Sequence, residues 1–219
     1  MEEQEMNKDD IEQPQQPESA IKDTSGVMME GHIRIFDPET GEDYVNKRNA
    51  IHYENMSEAL ALSVANKTTG FIHEMAFGNG GTSVDPTGVI TYLPANSSGA
   101  NANLYNQTYY KVVDDNSSLN TDTARNKLQV SHTAGQIYTD IIVSCLLDYG
   151  EPSGQDAFDT SGDSENQFVF DELGLRSYAA DGNGRLLTHV IFHPVQKSLN
   201  RLIQIDYTVR IQSLSGGNS

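Results

Sequence analysis

From Phe71 to Ser213 short apolar runs alternate with clusters of Gly, Asn, Asp and Ser, and the runs fall at 71–77, 107–114, 126–132, 136–147, 167–173, 186–193 and 201–213. Runs of this length, bounded by turn-forming residues, predict antiparallel β structure. The last one alternates with period two. Ile203, Ile205, Tyr207, Val209 and Ile211 fall on one face, and Leu202, Gln204, Asp206, Thr208 and Arg210 on the other. One side of that strand therefore faces a core.

Upstream, His32-Ile33-Arg34-Ile35-Phe36 and Asp43-Tyr44-Val45 flank Asp37-Pro38-Glu39-Thr40-Gly41-Glu42, whose Pro and Gly suit a turn, so this segment predicts a hairpin. One helix is expected next. Asn55-Met56-Ser57-Glu58 offers a cap with Glu three residues on, and Met56, Leu60 and Val64 follow at i, i+4 spacing to form a stripe that packs on a sheet. Two polar connections, 78–104 and 150–166, exceed the usual length of a structureless loop and are either assembly loops or mobile surface. No repeat period is visible, which excludes a solenoid or propeller.

The expected fold class is mainly β: an antiparallel β-sandwich-like domain with one packed α-helix and a flexible acidic N-terminal arm. The expected organisation is an arm at 1–27, a single β-rich structural domain at 28–214 and a C-terminal tail at 215–219. A chain of 219 residues suits one core of that kind. The arm holds eight Asp/Glu in residues 1–24 against Lys8 and Lys22. It has too few apolar residues to offset its ordering entropy, so it is either a solvated tail or a segment that orders along a neighbour.

Charge narrows the partners. The formal net charge is -17, and such an acidic chain repels a phosphate backbone, so direct nucleic-acid binding is not expected. Copies also repel one another, and assembly then requires apolar or hydrogen-bonded interfaces. The lone Cys145 sits in the apolar run Ile141–Leu147 and reads as a small buried hydrophobe. The first residues lack the succession of a secretory signal and no apolar run has bilayer length, so neither membrane insertion nor export is expected. The Asn-x-Ser/Thr triplets at Asn55, Asn66, Asn96, Asn106 and Asn116 then reflect composition rather than glycosylation.

Candidate chemistry is sparse. Phe77-Gly78-Asn79-Gly80-Gly81-Thr82 lacks the Lys-Ser/Thr of a phosphate loop and reads as a glycine-rich turn out of a strand. Asp159-Thr160-Ser161-Gly162-Asp163-Ser164-Glu165 lacks the full calcium-loop pattern and reads as a solvated acidic loop. Asp181-Gly182-Asn183-Gly184 reads as a hairpin turn between apolar strands. His32, His52, His73, His132, His189 and His193 are scattered without zinc-site spacing, although in a regular strand His189 and His193 would share a face. No nucleophile elbow or activated Cys/His pair is present. The expectation is therefore no enzyme, no cofactor, no metal and no catalytic residue. Gly78, Gly80, Gly81, Gly174 and Gly182 are singled out as structural turns where a bulkier residue would strain a positive φ.

A family resemblance enters on three groups of residues. Phe71-Ile72-His73-Glu74-Met75-Ala76-Phe77-Gly78-Asn79-Gly80-Gly81-Thr82 is similar to the apolar strand and Gly-rich turn that open the baseplate-attachment domains of phage tail fibres. Phe168-Val169-Phe170-Asp171-Glu172-Leu173-Gly174-Leu175 with Asp181-Gly182-Asn183-Gly184-Arg185-Leu186 resembles a later run of the same domains, and His193-Pro194-Val195-Gln196-Lys197 before strand 201–213 follows in similar order. Gly31 to Ala65 resembles phage structural proteins more broadly. The resemblance implies a tailed-bacteriophage virion structural protein, assembled in the bacterial host cytoplasm. Its expected role is an adaptor at the neck, tail or baseplate that forms a homo-oligomer (trimer or ring) and docks other virion proteins or fibres. A capsid decoration protein is the alternative, and a glycan-binding module a third reading that the ten tyrosines keep open.

Overall fold

A computed structural model describes residues 26–99, 102–156, 167–182 and 184–214. The chain runs β1 (Gly26–Phe36), β2 (Asp43–Ile51), α1 (Tyr53–Val64), β3 (Ile72–Gly78), β4 (Thr82–Val84), β5 (Ile90–Tyr92), β6 (Gln107–Val112), β7 (Lys127–His132), β8 (Tyr138–Leu147), β9 (Gln167–Ser177), β10 (Thr188–Ser198) and β11 (Ile203–Leu214). Every apolar run named above is a strand. The acidic 159–165 loop, the tail 215–219 and the arm up to residue 25 lie outside the described residues, while Gly26 and Val27, expected in the arm, already belong to β1.

Nine strands form one antiparallel sheet in the order β6-β3-β9-β10-β2-β1-β11-β8-β7, and β4 and β5 make a separate hairpin. The sheet narrows at its middle, because β2 and β10 share only the pairs Ile51↔Thr188 and Ala50↔His189. At that waist it curls over. The Lys111 Nζ on β6 donates to the Leu146 carbonyl on β8 at 2.7 Å, although these strands stand near opposite ends of the order. The two halves thus enclose one apolar core, with Phe77, Phe168, Phe170 and Phe192 from one half against Ile33, Ile35, Val143, Leu147, Ile205 and Tyr207 from the other. The result is a β-sandwich-like fold with one helix among the described residues.

β11 keeps its alternation, burying Ile203, Ile205, Tyr207 and Val209. The helix departs from expectation in two ways. Its N-cap is His52, whose Nδ1 accepts the Asn55 N–H at 3.3 Å. Asn55 lies inside the first turn and turns its amide inward to the Leu186 carbonyl at 2.8 Å. The buried face is consequently Asn55, Met56 and Ala59, and Val64 at the end of the expected stripe stands 80% exposed.

Candidate docking site

The segment from Asn79 to Asn106 leaves the end of β3, forms the β4–β5 hairpin and returns into β6. Asp171 and Glu172, adjacent on β9, hold it. Glu172 Oε1 accepts the backbone N–H groups of Gly80 (3.1 Å) and Asn106 (2.8 Å), and its Oε2 accepts the Tyr105 N–H (2.9 Å) and the His189 ring Nε2 (3.0 Å). Asp171 takes the next two amides, Gly81 to Oδ1 and Thr82 to Oδ2, each at 2.9 Å, together with the Thr82 hydroxyl. Neighbouring strand residues normally face opposite sides. Here both carboxylates nevertheless bond one excursion, at the point where the β9–β10 register is broken by a bulge of extra residues of β10 between Ile191 and Val195. The same bulge separates His189 from His193: the first is fully buried and the second exposed, so the two do not share a face.

Two buried histidines fix the far part of the excursion. His189 Nδ1 accepts the Asn96 N–H at 2.8 Å, so the ring proton is on Nε2 and is donated to Glu172. His52 Nδ1 accepts from Asn55, which leaves its Nε2 proton for the Gly99 carbonyl at 3.0 Å. Burial drives the Glu172 carboxyl up, but the bonds from His189, Asn106 and Tyr105 outweigh it and hold the group below the ordinary glutamate range. Burial dominates at Asp171, against the bonds from Thr82 and Gly81, and raises its carboxyl. These carboxylates thus act as acceptors for backbone amides that would otherwise lack partners.

Four of the five glycines chosen from the sequence are needed for a reason other than positive φ. A Cβ on Gly78 would lie 2.3 Å from the Asn106 carbonyl oxygen, on Gly80 2.7 Å from the Asn106 nitrogen, and on Gly81 3.0 Å from the Ile191 side chain. On Gly174 it would meet the Thr188 carbonyl oxygen at 2.5 Å. None of these four has a left-handed φ; Gly78 ends β3 and Gly174 lies within β9, so neither is a turn. Close approach of a neighbouring backbone is the constraint at Gly78, Gly80 and Gly174, and side chains crowd Gly81; three of the four line the clamp. Only Gly182 matches the stated reason, with φ of 78° in the β9–β10 connection.

The clamped excursion is chemically unusual for this chain. From Pro86 to Tyr110 there is no Asp, Glu, Lys or Arg, within a protein of net charge -17. Val84, Val89, Tyr92, Leu93 and Tyr105 are exposed along it. Tyr, Asn, Ser and Gly on a rigid support are the composition of recognition loops, since aromatic side chains give contact area at low entropic cost. Sequence reasoning marked this span as long but missed its neutrality and its anchors. Asp171-Glu172 inside the apolar run Phe168–Leu175, and His189 inside Leu186–Phe192, were the available signals.

The sheet ends differ in their protection. At the β6 end, the Gln155 side chain accepts the Tyr110 N–H at 2.8 Å and donates to the Tyr110 carbonyl at 3.1 Å, while the Asp156 N–H reaches the Thr108 carbonyl at 3.0 Å. These bonds do what an additional strand would do. Among the described residues nothing pairs with the outer edge of β7. Compared with known proteins, the chain matches no family model, no curated protein and no solved structure.

Proposed function

We propose that the chain is a non-enzymatic structural component of a tailed-bacteriophage particle, an adaptor at the neck, tail or baseplate that docks neighbouring virion proteins through the face displayed by residues 82–99 and 102–106. The observation that carries the reading is where the fibre-like segments sit. Phe71–Thr82 and Phe168–Leu175 lie far apart in sequence, yet they form the paired strands β3 and β9 and together build the clamp, Asp171 and Glu172 of one holding Gly80, Gly81 and Thr82 of the other. The resemblance therefore falls on one coherent structural unit whose polar groups are spent on presenting a loop.

Particle labelling tests it. Antibodies against the chain, applied to purified phage particles from a host culture producing it, are expected to decorate the neck, tail or baseplate by electron microscopy. Labelling of capsid facets would instead support the decoration alternative. Absence of the chain from purified particles overturns the reading.

A further inference from the structure

We infer that the outer edge of β7 is a self-association edge, on which a second copy of this chain adds its own β7 in antiparallel register with Gln129 on the two-fold axis. The inference takes from the preceding reading only that copies associate, and particle labelling and the measurement below fail independently.

Natural sheets blunt their edges with charge, proline, bulges or covering groups, because a row of free N–H and C=O groups invites another strand. This chain covers its β6 edge with the Gln155 amide, but β7 carries none of these devices except Lys127 at one end. It pairs with β8 without a register break from Lys127↔Ser144 to His132↔Thr139. Val130 lies in one row with Ile141 of β8 and Val209 of β11, the latter buried, yet Val130 itself is 74% exposed. Among the described residues nothing covers the core-facing surface where it runs off the end of the sheet there.

A second copy of the chain fits this edge as its cover. Centring the antiparallel pairing on Gln129 sets Leu128 opposite the second Val130 and Val130 opposite the second Leu128, two apolar pairs on the core face. It also sets Lys127 opposite Ser131. Directly opposed residues in such a pair have Cβ atoms about 5 Å apart, the distance at which these pairs stabilise a sheet. Two chains of charge -17 repel, and the stretch Thr123–Thr139 that contains β7 holds no Asp or Glu, so copies meeting there bring no carboxylates of this stretch together. An isologous pairing closes as a dimer, which separates it from a trimer or ring.

The test is the mass of the full chain by light scattering at about 100 μM, where a micromolar contact is saturated. A two-copy mass is expected, more complete at high salt because screening weakens the repulsion between acidic copies. Val130→Lys is expected to return it to one copy, with the melting transition of the wild type measured at a dilution where the wild type is also one copy, and Val64→Lys, at another exposed valine, to leave it at two. Gln129→Cys is expected to form a disulfide-linked dimer under mild oxidation, while the wild type, whose Cys145 is buried, does not. A one-copy mass for the wild type, or any oligomer that Val130→Lys leaves intact, overturns the inference.

Discussion

The His189 ring donates its Nε2 proton to Glu172 at 3.0 Å with neither side chain exposed to solvent, and the loop amide of Asn96 fixes that tautomer from the other side of the ring. Glu172→Gln keeps the shape but must point an NH2 group at backbone donors or at the ring proton, whichever way the amide turns. It is expected to destabilise the protein by about 3 kcal/mol in urea unfolding and to speed hydrogen exchange at Tyr105 and Asn106. The carboxyl is held below its ordinary value of 4.5 in the folded state. Its stabilisation is therefore complete above that value and lost as pH falls through the lower folded one, so the gap between wild type and variant should close in acid.

Two kinds of glycine predict two sizes of effect. Gly174→Ala places a methyl 2.5 Å from the Thr188 carbonyl oxygen between two paired strands, and should cost about 3 kcal/mol. Gly182→Ala meets no atom within 4 Å and suffers only from its positive φ, with an expected cost of about 1 kcal/mol. Thermal unfolding of both variants checks the ranking.

Lys197 is fully buried and its Nζ donates to three carbonyls, those of Asp148 (3.0 Å), Glu151 (2.6 Å) and Ser198 (2.8 Å). Burial lowers its pKa to about 8, against the raising effect of Glu151 and Asp148. Between that value and the ordinary 10.5 the unfolded chain binds more protons than the folded one, so this group makes stability rise with pH in that window. The stability difference between wild type and Lys197→Met should accordingly be flat below pH 8 and shift in favour of the wild type from there to 10.5. A difference that is flat throughout would contradict the burial argument.

Cys145 provides an internal control of the core. Burial pushes its thiol up to about 12, with Lys111 lowering and Glu151 raising it, and no part of the side chain is exposed. Iodoacetamide at pH 8 is expected to leave the folded protein unmodified and to label it fully in urea, as mass spectrometry would show.

Gln155→Ala removes the cover of the β6 edge without touching the core. Melting should change by less than about 1 kcal/mol in free-energy terms, while light scattering should show aggregates the wild type does not form.

Strand positions were legible because burial of one face imposes a two-residue rhythm, and Ile203 to Val209 obey it throughout. The cap of α1 was not, because a histidine is an unusual N-cap and Asn55 has the residue type of a cap while serving as a buried donor to Leu186. The clamp escaped for a related reason. Asp171 and Glu172 interrupt an apolar run, and strand alternation would send adjacent residues to opposite faces, whereas here both bond the same loop. For the glycines the structure gives a different reason at four of the five positions, since steric closeness to groups distant in sequence leaves no local mark in a sequence.

The place of β1 beside β11 shapes how the molecule can be made. β1 pairs with β11 along its whole length, from Gly26↔Leu214 to Phe36↔Gln204, whereas β2 covers only its second half. During synthesis β1 emerges long before its main partner, and its first half has no strand on either edge until β11, nearly 180 residues downstream, leaves the ribosome. Contacts of such separation carry a heavy loop-closure cost and slow the search for the native pairing. Chain growth therefore passes through a stage in which Val27, Met28 and Met29 lack their strand, and it is this nascent stage, rather than the finished sandwich, that would most need a chaperone.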